Sequence, residues 1–270
     1  MFASALASLG AAIGTSRFVE SSPGSFESWE RTSFSGQELT LTEGLVASAG
    51  MIAAAASVSG RAKIGALASV GAGAVAGYVD DQMEDRFPAK GKGFHGHLGA
   101  LRQGKLTSGA VKIGVIGLGA SAGAATLATE QGALRKLGGW LVRTGLIAGT
   151  ANFVNLLDLR PGRAIKASAA ASVPLALRSN PGSGLAAGVI ATGAVCARDD
   201  LAGRAMLGDM GANAMGAGLG FALASSPSAA LRVGALACVG GLTLLSERVS
   251  FSKVIEENPV LSRIDQFGRP

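Results

Sequence analysis

The chain has 270 residues, of which 48% are hydrophobic and only 16% charged, with a formal net charge of +6. Soluble domains usually carry about 25% charged residues, so this composition argues against a water-exposed globule, and its apolar content argues against disorder. The 41 glycines follow no collagen-like period and lie within apolar runs. The positive balance reads as loops facing anionic lipid, not as a nucleic-acid surface. Cys196 and Cys238 both fall in apolar segments, which leaves no disulfide framework or zinc motif.

In chain order, apolar segments fall at Phe2–Ile13, Gly44–Ser59, Ile64–Tyr78, Ala110–Ala128, Leu137–Phe153, Ala167–Leu177, Gly184–Cys196, Ala212–Leu223 and Ala229–Leu245. They predict an all-α, polytopic transmembrane helix bundle of about nine spans, several of them short. The whole chain, residues 1–270, then forms a single integral membrane domain. No basic residue precedes Phe2–Ile13, so that segment reads as a first span and not as a signal peptide. Small residues let membrane helices approach closely where hydrophobic exclusion contributes little. Gly119/Gly123 and Gly216/Gly220, each pair one helical turn apart, are expected helix contacts.

Basic residues set the orientation. With the N-terminus out and the C-terminus in, the inside segments collect Arg17, Arg31, Arg86, Lys90, Lys92, Arg102, Lys105, Arg160, Arg163, Lys166 and others towards the C-terminus. The outside turns hold only Arg61, Lys63, Arg135, Lys136 and Arg178. On this orientation three aspartate clusters meet the cytoplasm at helix ends: Tyr78-Val79-Asp80-Asp81, Asn152 to Asp158, and Gly208-Asp209-Met210-Gly211-Ala212-Asn213. A single aspartate there reads as a helix cap. Three clusters on one side read as a working site, because ionisable groups at membrane depth are costly. Carboxylates mixed with Asn and Lys/Arg suit a hydrated magnesium ion and phosphate oxygens.

These residues resemble the polyprenyl-phosphate N-acetylhexosamine-1-phosphate transferases, the family of phospho-N-acetylmuramoyl-pentapeptide transferase. Asp80 and Asp81 match the family's aspartate pair after the third span. Asn152, Asn155 and Asp158 match its Asn-x-x-Asn-x-x-Asp motif, and Gly208, Asp209, Gly211 and Gly216 match its Gly-Asp-x-Gly motif. Lys112 falls where the family places a lysine, and Arg31-Thr32-Ser33-Phe34-Ser35-Gly36 looks like its first-loop segment. The resemblance implies transfer of a sugar-1-phosphate from a UDP-sugar to a polyprenyl phosphate carrier, releasing UMP, in cell-envelope polymer synthesis. It implies a multi-pass protein of the bacterial plasma membrane with its active site facing the cytoplasm, and leaves room for a homodimer. By the same resemblance Asp80, Asp81, Asp209 and Lys112 are catalytic, Asp81 and Asp209 hold magnesium, and Asn152, Asn155 and Asp158 line the nucleotide side.

The chain also departs from the family pattern. Pro161 stands in place of a second aspartate after Asp158, Glu84 in place of a lysine and Ala212 in place of a serine. Ser246–Pro270 carries neither the family's histidine-rich loop nor its tenth span. His95 and His97 could replace the missing histidines in substrate binding or be plain polar surface, and Arg160 and Arg163 could bind diphosphate or anchor the cytoplasmic face. The alternative to an enzyme is a catalytically silent relative, a membrane scaffold or lipid-binding partner in envelope assembly.

Overall fold

The computed structural model describes residues 1–32, 36, 38–87 and 107–269. His95 and His97, with Lys90, Lys92, Arg102 and Lys105, lie outside the described residues. Among the described residues the chain is all-α apart from one small hairpin. Its helices are α1 (Phe2–Ser21), α2 (Glu43–Ala56), α3 (Ala62–Met83), α4 (Ser108–Thr126), α5 (Ala133–Leu157), α6 (Arg163–Ala176), α7 (Ser183–Leu201), α8 (Gly208–Ala224), α9 (Ala229–Ser246), α10 (Phe251–Glu257) and α11 (Pro259–Gln266). Every expected apolar segment is helical, and α3 and α5 run on past it far enough to take in Asp80, Asp81 and Asn155. Side-chain caps mark several starts: Thr107 accepts from Ala110 N–H ahead of α4, Ser228 caps α9, and Asn258 caps α11, whose first residue is Pro259.

Among the described residues four helices are long and apolar enough to cross a membrane: Phe2–Ser21, the third helix with its extension to Arg86, Ser108–Thr126 and Ala229–Ser246. That is the mark of a membrane protein, with fewer qualifying helices than the expected nine segments. The others fall short for physical reasons. Helices α2 and α6 have 14 residues each and α8 has 17, below the ~20 a bilayer core requires. Helix α5 carries Arg135, Lys136 and Arg143, and α7 carries Arg198, Asp199 and Asp200.

Position in the bundle explains how short helices are accommodated. Helix α8 is buried almost all round from Gly211 to Ala224 and packs against α2, α3, α5 and α7, so it forms the centre. Only 17% of the apolar window of α1 and 11% of that of α9 is buried. Phe2, Leu6 and Phe18 on α1, and Val233, Leu244 and Leu245 on α9, point outwards.

Glycine sets the helix spacing. A Cβ on Gly216 would meet Ala151 Cα at 2.7 Å, and one on Gly220 would meet Ile147 Cα at 2.8 Å, so α8 lies backbone to backbone on α5. Gly119 and Gly123 bring α4 onto Ala68, Ser69 and Ala72 of α3. A Cβ on Gly73 would stand 2.6 Å from Asn213 O, and one on Gly77 would collide with the backbone of Asp209 and Met210. Without side chains at these positions α3 can reach the start of α8.

The hairpin pairs β1 (Glu30–Thr32) with β2 (Glu38–Thr40), antiparallel, with Arg31 opposite Leu39. Thr40 N–H donates to Arg204 O at 3.1 Å and Met206 N–H to Thr40 O at 3.0 Å, which fastens the hairpin to the strand of chain that enters α8. Trp29, Leu39 and Leu41 form a small core with Phe26, Leu45, Met206 and Met210, and the Trp29 ring lies 6.1 Å from that of Tyr78.

Candidate functional site

At one end of the bundle the last turn of α3, the first turns of α4 and α8 and the end of α5 meet. Asp80 and Asp81 close α3, Lys112 lies one turn into α4, and Asp209 opens α8. Lys112 Nζ donates to Asp80 Oδ2 at 3.2 Å and contacts Asp209 Oδ2, so one ammonium bridges two carboxylates. Lys112 is 12% exposed, and Asp80 and Asp209 24% each, which leaves the trio reachable from solvent.

Asp81 has a different task. Its Oδ1 accepts from Asp209 N–H at 3.1 Å and its Oδ2 from Met210 N–H at 2.9 Å. The first amides of a helix lack partners within the helix; here a carboxylate from α3 satisfies two of them and meets the positive end of the helix dipole. Gly208, at φ +59°, makes the turn into α8, and a Cβ there would stand 3.0 Å from Asp81 Oδ2. Arg31 Nη2 donates to Asp81 O at 2.6 Å, so the first-loop segment singled out in the sequence touches the aspartate pair.

Asp158, at the end of α5, is 6% exposed and lies beside Gly208 at the same turn. Asn152, Asn155 and Asp158 follow one another at three-residue steps, and both asparagines are half-buried. The structure therefore brings Asp80, Asp81, Lys112, Asp209 and Asp158 together.

Arg160 and Arg163 are already engaged. Arg160 Nη2 donates to Glu256 at 2.9 Å, and Arg163 holds Asp265 through two hydrogen bonds of 2.9 and 3.2 Å. Lys166 donates to the carbonyls of Ile264, Asp265 and Phe267, and Arg269 grips both Asp265 and Pro161 O. The C-terminal helices α10 and α11 are thus clasped onto the turn between α5 and α6. Burial pushes the Asp265 carboxyl up, but the hydrogen bonds and charge of Arg163, with Arg269 and Lys166 beside it, outweigh burial and hold it below its ordinary value. The clasp therefore contributes fully above that ordinary value, 3.8, and is lost as pH falls through the lowered folded-state value. Asp265→Asn should mimic acid at neutral pH, speeding amide hydrogen exchange across Pro259–Gln266 by at least about tenfold while leaving α8 protected. Unchanged exchange would show that α11 is held by other contacts.

Two acidic residues outside the motifs also converge here. Glu43, in the first turn of α2, is 6% exposed and lies beside Asp200, which is 1% exposed, and both sit within electrostatic reach of Asp158. Asp200 Oδ1 accepts from Gly162 N–H at the turn into α6. Neither oxygen of Glu43, nor Oδ2 of Asp158 or of Asp200, finds a hydrogen-bond donor among the described residues. In sequence Glu43 reads as a first-turn acid and Asp200 as a span-ending charge. The one available signal was their occurrence next to Gly- and Ala-rich runs.

Magnesium binds through one or two carboxylates and keeps waters and substrate phosphates. Asp80 and Asp209 already share one cation, the Lys112 ammonium. No group of three or more His, Cys, Asp or Glu with metal-holding geometry occurs among the described residues.

The fold and site together define a helical membrane bundle with a carboxylate–lysine cluster at one end. No known family model matches the chain, and no curated protein matches it.

Proposed function

We propose that the protein is a divergent phosphoglycosyltransferase that moves a sugar-1-phosphate from a UDP-sugar to a polyprenyl phosphate. The observation that carries this reading is Lys112 bridging Asp80 and Asp209 beside a helix start that Asp81 holds in place. Several spans, the N-terminus out and the site facing the cytoplasm belong to the same proposal. So do the bacterial plasma membrane and, as a further step, a homodimer.

In the reaction an oxygen of the lipid phosphate attacks the β-phosphorus of the UDP-sugar. The bond from that phosphorus to the oxygen shared with the α-phosphorus breaks, and UMP leaves with the electron pair. Catalysis of this type is mainly positioning and charge neutralisation. Lys112 offers a point charge to a phosphate oxygen. Asp80 and Asp209 would hold magnesium, a change from the pair Asp81 and Asp209 read from sequence, because the Asp81 oxygens are used on the amides of α8. Magnesium would neutralise the pyrophosphate charge. Asp81 acts through Asp209 by fixing the start of α8, and Asn152, Asn155 and Asp158 would meet the nucleotide.

One observation favours the alternative of a silent membrane scaffold: Arg160 and Arg163 are paired with carboxylates of the C-terminal segment, Arg163 in a buried pair. The deciding experiment is UMP release by the purified protein with magnesium across a panel of UDP-sugars and a short polyprenyl phosphate. Release supports the transferase, and its absence across the panel supports the scaffold. Topology has its own check. A reporter fused after Pro270 should read cytoplasmic and one inserted near Arg135 external; an external reading after Pro270 would reverse the orientation.

A further inference from the structure

The end of the bundle opposite the aspartates holds a cavity of about 780 Å³. Helix α3 runs from one to the other: Ala62 lines the cavity, and Asp81 lies about 28 Å away along the helix axis at 1.5 Å per residue. The turns α2–α3, α4–α5, α6–α7 and α8–α9 all contribute to its wall. Arg61, Arg143 and Arg178 line it together with Thr129, Asn180 and Ser226, and among the described residues no acidic side chain does.

The arginines differ in what they already hold. Arg143 is 2% exposed and meets Glu130 Oε1 at 2.7 Å, and Arg232 meets the same oxygen at 3.1 Å. One carboxylate therefore serves two guanidiniums. Arg61 donates to the carbonyls of Ala125 and Thr126 at 3.0 and 2.8 Å, neutral acceptors that leave its charge uncompensated. Arg178 is exposed, and its guanidinium has no ion pair or hydrogen bond among the described residues. Three guanidiniums thus line a single concave space, and one of them, Arg143, shares its carboxylate partner Glu130 with Arg232.

Positive charge at this end has no topological use on the proposed orientation, because basic residues are depleted outside the membrane. Keeping Arg143 out of water also carries a desolvation cost, and beside the Ala224 carbonyl its one carboxylate partner, Glu130, is shared with Arg232, itself held by the carbonyls of Ser226 and Pro227. An anion in the cavity gives the positive charge a use and Arg143 a second counter-charge. Guanidiniums pair with phosphate oxygens through two parallel hydrogen bonds, and hydroxyls and a side-chain amide complete such a site. The space is far larger than one phosphate needs, and between the arginines its wall is apolar carbon from Ala62, Leu127 and Pro181.

We propose that this cavity binds a phosphate-bearing anion, through Arg178 and Arg61 at its mouth and Arg143 at its base. The same chemistry is offered by the headgroup of an anionic phospholipid and by a soluble phosphate ester, and the test separates them. Purified full-length protein, wild type and the double variant Arg61→Gln/Arg178→Gln, would be titrated in detergent with phosphatidylglycerol, phosphatidylcholine, inorganic phosphate or glycerol 3-phosphate. Bound ligand is read by native mass spectrometry and by the shift in Tm. Selective retention of phosphatidylglycerol over phosphatidylcholine, weakened at least about tenfold in the double variant, identifies a lipid headgroup site. Binding of inorganic phosphate or glycerol 3-phosphate with the same loss identifies a soluble ligand. Equal binding of all lipids, no binding, or binding unaffected by the two substitutions overturns the proposal. Arg178→Gln alone guards against misfolding, since that side chain supports no other group, and it should retain the unliganded Tm while weakening binding severalfold. None of these outcomes depends on whether UMP is released at the other end.

Discussion

Asp209→Asn should lower magnesium-dependent UMP release by at least about 100-fold, the usual cost of removing one preorganised electrostatic group from a site where charge develops. The substitution keeps size and shape, and the backbone N–H of residue 209 can still donate to Asp81. Membrane abundance and Tm should therefore stay near wild type. Asp80→Asn removes the other carboxylate on Lys112 and should act in the same direction. Asp81→Asn should behave differently, because its side chain serves the helix and not the cation: Tm falls along with activity as two amides of α8 lose their acceptor. Equal rates in wild type and Asp209→Asn at matched abundance would remove the mechanism.

Gly77→Val should be the most damaging single change outside the charged groups. A Cβ at residue 77 collides with the backbone of Asp209 and Met210, where no flexible side chain can move aside. Overpacking of that kind costs about 3 kcal/mol at the upper end of the usual range, equivalent to roughly 6–10 °C in Tm for a chain of this size. Activity should vanish as well, because α3 and α8 hold the aspartates in register only while their backbones touch. Gly71→Val supplies the control: the same helix, with no atom within 4 Å of the added Cβ, and an expected Tm close to wild type. Equal stability of the two variants would contradict the backbone contact between α3 and α8.

Much of the architecture was written in the sequence as runs of apolar residues, and each of those runs is a helix. The number of helices able to cross a membrane unaided was not, because the pattern of apolar residues cannot distinguish a lipid-facing helix from one enclosed by others. Helix α8 looks like a short span in sequence and is the buried axis of the bundle. The clustering of Asp80, Asp81, Lys112, Asp209 and Asp158 was legible because charge within apolar sequence is conspicuous. The division of labour between the two adjacent aspartates was not. Asp81 acts on amides 128 and 129 residues away, a pairing that exists only once α3 and α8 are packed. Glu43 and Asp200 escaped notice for a similar reason. Each lies at a helix end, where acids are ordinary, and it takes the packing of α2 on α7 to bring them together. Arg143 and Arg232 show the same limit from the basic side.

The sparse packing of α9 bears on how the chain is built. Its flank against the bundle is little more than Leu236 and Val239 over Gly145 and Gly149 of α5, with Arg232 tied to Glu130 at one end. Beyond its other end, Asp265 is tied to Arg163. The interior around α8 is closed by α2, α3, α5 and α7 without it. The elements that close the core therefore all precede Ala229 in the chain. The remaining residues then attach along a lipid-facing seam, pinned by an ionic contact near either end.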